Sequence, residues 1–370
     1  MAMKKAMILV IDGCAPEYLT PQTAPGIYSL AAKCGFAKTV ECAMPSVTNV
    51  NHACILSGKW SEETKVVGNY YYDPLTGNEG FIEERGYMKA KTILEWYREQ
   101  GGSTALLTVK GKVLGVYGEG VDIGLSAQKP DRNLLERYQL AQPPAIDSVE
   151  ATEWIVNAAY EIIRKDSPDF LYCTTNDFVF HHFSSDTAEA VSQIRAIDQA
   201  VSKIARQEPE RQIYITADHG MNQKTRIINF QLVANEAGFH TYCLPPLKDR
   251  YVENHVYQEG GMLYVYLQEP SEREELLRFA QEQPYIEDIL TAKEAAEEFH
   301  LPINQIGDLV LLAERESAFG ECEKPILHTW ESRTHGSRYE REIPLIAMNP
   351  ERQEENYKYS KDIVAYMMES

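Results

Sequence analysis

Asp12 in VIDG, Thr48 in PSVTNVNHACILSG, and Asp218 and His219 in TADHG form an Asp-Thr-Asp-His group of the kind that can hold a divalent metal against an alkoxide. Asp177 and His181 in NDFVFHH, with His335 in THGS, form a second group. Imidazole nitrogen and carboxylate oxygen suit zinc, whose catalytic sites commonly keep three protein ligands and one open position. Manganese or iron would accept the same donors. The second group leaves that position for water or a substrate. In the first it is filled by the threonine hydroxyl, a poor nucleophile at neutral pH unless a metal lowers its pKa. Three carboxylates and one alkoxide against two divalent cations leave the site nearly neutral, so a phosphate or phosphonate dianion can enter without prohibitive repulsion. Two metals about 3.5–4 Å apart can then clamp the attacking and leaving atoms of an in-line displacement. The set implies a phosphoryl-transfer hydrolase.

These residues need a scaffold that brings distant segments to one edge. KKAMILVID, STALLTV, PDFLYCTT and RQIYITAD read as buried parallel strands, bounded by helical segments such as ILEWYREQG and SVEATEWIVNAAYEIIRK. Such βα units predict an α/β fold, a doubly wound, mostly parallel sheet sandwiched by helices, with ligands at the C-terminal ends of its strands. Asp12 and Asp218-His219 follow two of those strands directly. A lone Asp at a strand end is often only a cap or turn residue, and Asp177 and His181, four apart on one helical turn, could be a surface contact. Complementary ligands at four separate strand ends or loops argue together for the metal reading. Between His219 and His335, GMLYVYLQ, SEREELLRFAQEQ, IEDIL, TAKEAAEEFH and DLVLLAER have a different texture and predict a small inserted α+β cap. The expected division is a core of 1–228 and 328–370 with a cap of 229–327, and ERQEENYKYSKDIVAYMMES is expected to form a closing helix.

VIDGCAPEYL, MPSVTN, GNYYYD, TVKGK, TTNDFVFHH, TADHGM and THGSRYEREIPLI together resemble the alkaline phosphatase superfamily, in its nucleotide pyrophosphatase/phosphodiesterase-like branch. The chain is most similar to that branch's phosphonoacetate-cleaving members. The resemblance implies that Thr48 is the nucleophile on the metal of Asp12, Asp218 and His219, with Asp177, His181 and His335 on the other metal. It also implies that Asn69 contacts a phosphoryl oxygen and that Lys110 and Lys112 bind a substrate carboxylate. A strand would place those two lysines on one face, converging on a small anion, with Gly111 letting the backbone approach. A nucleotide pyrophosphatase or phosphodiesterase is the alternative activity, for which an aromatic stacking pocket near Tyr70, Tyr71 and Tyr72 would speak. A non-catalytic metal-binding protein is disfavoured, because nucleophile and ligands are all present. The chain departs from the family pattern at Thr64-Lys65, where relatives carry His-Gly, and at His52, where a smaller polar residue is expected.

A length of 370 residues exceeds what one compact core usually reaches, so one large domain with a substantial insertion, or two domains, is expected. The net charge of -19 argues against nucleic acid or an anionic membrane as partner, since either needs a basic face. It also repels a small anionic phosphonate or phosphoester at long range, so metals and lysines must supply the positive field locally. Seven cysteines, odd in number and without CxxC spacing, favour reduced thiols in a cytoplasmic protein. AMILVI is too short for a signal-peptide core, and no apolar run approaches the roughly 20 residues of a membrane span. A homodimer stays open as its assembly.

Overall fold

The computed structural model describes residues 3–248 and 259–369. In chain order its strands are β1 (Ala6–Val10), β2 (Gly35–Glu41), β3 (Tyr70–Tyr72), β4 (Glu79–Phe81), β5 (Thr104–Thr108), β6 (Ile123–Ser126), β7 (Phe170–Thr174) and β8 (Gln212–Thr216). There follow β9 (Asn222–Ile228), β10 (Thr241–Leu244), β11 (Met262–Leu267), β12 (Ile286–Thr291), β13 (Leu309–Ala313), β14 (Ser317–Phe319), β15 (Ile326–Thr334) and β16 (Glu342–Met348). Seven of them make the central sheet in the order β2-β16-β8-β1-β7-β5-β6. It is parallel throughout the pairs among β8, β1, β7, β5 and β6, and β16 runs antiparallel to both its neighbours.

Every residue of β1, β5, β7 and β8 is buried, which is why these strands read as continuous apolar runs without alternation. Such strands must be covered on both faces, and the helices pack in two groups. Pro25–Cys34 and Glu150–Asp166 each pack against Ala188–Gln207, and Thr48–Ser57, Ile93–Glu99 and Asp362–Glu369 contact one another. Glu150–Asp166 buries the stripe Ile155, Val156, Ala159, Ile162 and Ile163, spaced for one face of a helix. The α/β class and the mostly parallel, helix-covered sheet match the sequence reading.

A second sheet, β10-β11-β13-β12, is antiparallel, and its residues fall within 241–313. Helices Arg273–Gln281 and Ala292–Phe299 pack on it. The third sheet, β14-β9-β15, includes the pair Ile326↔Ile228, at the two junctions where the sequence suggests the cap begins and ends. We keep the 1–228, 229–327 and 328–370 division as a proposal; residues 249–258 of the cap lie outside the described set. The β3–β4 hairpin comes from the N-terminal part of the chain yet shares the cap's apolar cluster, with Tyr72 packed against Tyr242 and Tyr266 at 4.6 and 5.0 Å. At the C-terminus, the closing helix begins only at Asp362. The preceding residues form a 3-10 turn, Glu354–Asn356, and then a bridge to the end of β2, where Lys358 O accepts from the Glu41 amide.

Candidate metal centre

The order of the central strands explains how the site assembles. β8, β1, β7 and β5 are consecutive neighbours, and past their C-terminal ends come Asp218-His219, Asp12, Asp177 and Lys110 respectively. Gly13 lets the chain turn immediately after Asp12, with φ +78, a conformation that side chains with a Cβ rarely adopt. A Cβ there would also lie 3.3 Å from the Asp177 Cβ. Thr48 and His335 arrive from outside the parallel strands. Thr48 is the first residue of the buried helix Thr48–Ser57, and His335 follows β15.

Asp12, Asp218 and His219 bring one ligand atom each to within 4.8 Å of one another, and Asp177, His181 and His335 do the same; all six are buried. His219 Nε2 lies 3.5 Å from Asp12 Oδ1, 3.4 Å from Asp218 Oδ2 and 3.3 Å from Thr48 Oγ1. His181 Nε2 lies 3.3 Å from Asp177 Oδ2. The rings of His219 and His335, from different groups, stack at 3.5 Å and 7°.

The donors fit a divalent metal on this chain's own geometry. Nδ1 of His181, His219 and His335 is committed to the carbonyl of Arg333, Gly220 and Ser46 at 2.6, 2.9 and 2.7 Å, an arrangement that fixes the tautomer with Nε2 unprotonated for a metal. Asp12 Oδ1 and Asp218 Oδ2 are buried and, among the described residues, accept no hydrogen bond from an amide, hydroxyl or amine. Buried carboxylate oxygens are costly unless a cation or donor meets them.

Asn69 Oδ1 accepts from the backbone amide of Asn49, the residue after Thr48, at 3.2 Å. The lysines sit differently from the expected strand. β5 ends at Thr108, Lys110 takes the N-cap position and Lys112 lies inside the helix Gly111–Tyr117, so strand alternation does not relate them. The cause is Gly111-Lys112, which continue into a helix whose apolar face, Val113, Val116 and Tyr117, is buried. Lys110 Nζ donates to Asp177 Oδ1 at 2.6 Å and lies 3.7 Å from Asp12 Oδ2, bridging the two groups. Lys112 is buried, and its charge helps keep His52 neutral.

The family departures fall away from the ligands. His52 is a core residue whose Nδ1 meets Tyr172 Oη at 2.6 Å, and burial first of all pushes its pKa down to about 3. Lys65 is exposed, on a groove lined by Glu62, Lys293 and Ile303. Ser46, which holds His335, went unnoticed in the sequence although it belongs to the same PSVTN motif as Thr48.

Residues 6–338 match the type I phosphodiesterase / nucleotide pyrophosphatase family. The chain belongs to this family. Its fold places it in the alkaline phosphatase superfamily. Human ectonucleotide pyrophosphatase/phosphodiesterase family member 1 is 23% identical over 232 residues, 59% of this chain and 23% of that protein. The venom phosphodiesterase of Macrovipera lebetinus is 24% identical over 232 residues, 59% of this chain and 25% of its own length. The chain thus spans about a quarter of these two family members. Phosphonoacetate hydrolase from Sinorhizobium meliloti 1021, solved in complex with phosphonoformate and with phosphonoacetate, superposes with a TM-score of 0.88 at 25% identity, covering 99% of this chain and 95% of that one. Murine ectonucleotide pyrophosphatase / phosphodiesterase 5, inactive and in complex with AMP, shares the fold at a TM-score of 0.69 and 16% identity, with 99% and 95% covered.

Electrostatics in the metal-free phosphodiesterase-family site yield a stability prediction. Burial raises Asp218 to about 6, and burial, then repulsion from Asp177 and Asp218, raises Asp12. Burial would raise Asp177 too, but Lys110 and His181 outweigh it and hold that carboxyl well below the ordinary range. A carboxyl raised in the folded state contributes stability in full below its unfolded pKa and loses it as pH rises through the folded value. Asp218→Asn should therefore gain stability relative to wild type between about pH 4 and pH 7, by about 3 kcal/mol when both are chelator-treated. Denaturant midpoints measure this, and an unchanging difference across that window would contradict it.

Proposed function

We propose that the chain is a two-metal hydrolase that cleaves the C–P bond of phosphonoacetate, or a similar small carboxylated phosphonate, to acetate and phosphate through a phosphothreonine intermediate. The observation that carries this reading is Lys110, whose ammonium stands between the two Asp/His groups, 2.6 Å from Asp177 and 3.7 Å from Asp12. A cation there can meet an acidic substituent on a phosphorus bound between the groups. The likeness to phosphonoacetate hydrolase over 99% of the chain supports the same substrate class.

Two divalent ions, zinc by the donor set, would be held by Asp12, Asp218, His219 and Thr48 on one side and by Asp177, His181 and His335 on the other, supplying a lowered pKa at the Thr48 hydroxyl and charge neutralisation at the phosphoryl oxygens. Thr48 Oγ attacks phosphorus in line as the C–P bond breaks. The bonding pair leaves as the enediolate of acetate, and Lys110, with Lys112, neutralises the charge growing at its carboxylate. The carbon then takes a proton from water. Asn69 and the start of the Thr48–Ser57 helix hold a phosphoryl oxygen, and water releases phosphate from Thr48.

The nucleotide alternative called for open aromatic faces. Tyr70 is 9% exposed and meets Phe81 edge-on, while Tyr72 packs between Tyr242 and Tyr266. Tyr70 and Tyr72 are engaged in cap packing, and Tyr71 meets Tyr87 at 5.0 Å on the main core. Seven free thiols favour a reducing, cytoplasmic setting. No helix among the described residues is long and apolar enough to cross a membrane.

A substrate panel with zinc-loaded protein tests the reading, comparing phosphate and acetate release from phosphonoacetate, p-nitrophenolate release from a p-nitrophenyl phosphodiester, and AMP and pyrophosphate release from ATP. Phosphonoacetate should give acetate and phosphate in equal amounts and the highest kcat/KM. Faster turnover of the diester or ATP would replace the proposal with the nucleotide activity. Changing Lys110 and Lys112 together to Met should lower phosphonoacetate turnover at least about tenfold more than diester turnover, since a charge-assisted hydrogen bond contributes roughly 1.5–3 kcal/mol. Equal losses would assign the lysines to the phosphoryl group or to the fold.

A further inference from the structure

The buried ion pair of Lys224 and Glu340 has no part in the chemistry above. Both side chains are fully shielded from solvent, and Lys224 Nζ lies 2.9 Å from Glu340 Oε1. Burying such a pair is a poor source of stability, because desolvation offsets the attraction, so its placement calls for another explanation.

Glu340 sits where the two ligand segments meet. Its carboxylate accepts from Lys224 Nζ at 2.9 Å, from Asn222 Nδ2 at 2.9 Å, and from the Ser337 amide at 2.8 Å as well as the Ser337 hydroxyl. Its backbone carbonyl accepts from the Gly220 amide at 2.7 Å. Gly220 directly follows the ligand His219 with Asn222 two residues further on, and Ser337 lies two residues after the ligand His335. The chain of bonds extends to the nucleophile segment. Ser337 O accepts from Ser46 Oγ at 2.8 Å, the Gly336 amide donates to Ser46 Oγ at 3.0 Å, and Ser46 O holds His335 Nδ1. Ser46 is two residues from Thr48. Burial would raise the carboxyl's pKa, but Lys224, then the Ser337 and Asn222 donors, bring it below the ordinary value, so it remains an acceptor for all of them. Lys224 is itself fixed by a second bond, to Arg315 O at 2.9 Å.

We propose that Glu340, held by Lys224, is a positioning residue that sets the spacing of the two metal groups by clamping the His219 segment to the His335 segment. The inference rests on the two-metal reading. What the clamp fixes is visible in the stacked His219 and His335 rings, each belonging to a different group.

The test compares wild type, Glu340→Gln and the double variant K224M/E340M. The double variant leaves no unpaired buried charge, so its fold should survive even where a single change unfolds the chain. Zinc stoichiometry and dissociation constants are measured by chelator competition, together with the visible spectrum of the cobalt-loaded protein, which reports ligand geometry. Folding is checked by circular dichroism. The expected result is folded protein whose weaker site loses about 10–100-fold in affinity, with a changed cobalt spectrum. Wild-type affinities and spectrum in the folded double variant would overturn the clamp while leaving the two-metal reading intact. Failure of wild type to bind two ions would instead remove that reading and the clamp with it.

Discussion

Thr48→Ala should abolish turnover while the protein still binds two zinc ions. Thr48 Oγ1 stands 3.3 Å from His219 Nε2, while the three Asp and three His side chains converge in their two groups without it. Removing a covalent nucleophile from an otherwise complete site costs on the order of 10³-fold or more, because the remaining groups cannot split the reaction into two easier steps. Steady-state phosphate release and metal analysis of the same sample measure both halves. Near wild-type rates would mean that water attacks phosphorus directly. Loss of one metal with loss of activity would make Thr48 chiefly a ligand.

Stripping the metals should have an equally large effect on rate and a measurable one on stability. Without them, Asp12, Asp177 and Asp218 face one another with Lys110 as the cation between Asp12 and Asp177. Any ligand bound only by the folded state stabilises it by RT ln(1 + [L]/Kd), about 4 kcal/mol when zinc exceeds its Kd a thousandfold. The chelated protein should lose all detectable phosphate release, unfold at lower denaturant, and recover both on zinc addition. Unchanged activity after exhaustive chelation, verified by elemental analysis, would rule out metal-dependent chemistry at this site.

Most members of the two candidate metal groups are legible in the sequence because they are written locally. Asp12 and Asp218-His219 follow five-residue strands buried at every position, and apolar runs of that kind end where α/β sheets place ligands. Asp177 and His181 share one turn, which fixes their separation. Lys110 and Lys112 were misread for the opposite reason. Two-residue alternation holds only while the strand lasts, and β5 stops two residues before Lys110. The tyrosine run had open roles in the sequence because nothing local says that Tyr72 meets Tyr242 and Tyr266 across 170 residues or more. Ser46, Lys224 and Glu340 were equally unreadable, since their meaning lies in contacts made only after the segments have met.

That distance along the chain bears on how the protein matures. Gly13 reaches the Asp218 carboxylate across 205 residues, and His335 reaches Ser46 across 289. A chain still being made has its first ligand group in hand once His219 emerges, but the second waits for His335, about 10 s later at typical synthesis rates. During that interval the nascent protein carries half a centre, with the carboxylate of Asp177 present and its imidazole partner His335 not yet made. On the proposed two-metal reading, an ion captured then would meet an incomplete donor set, so loading of both sites together would be a late event, coupled to the docking of the His335 segment.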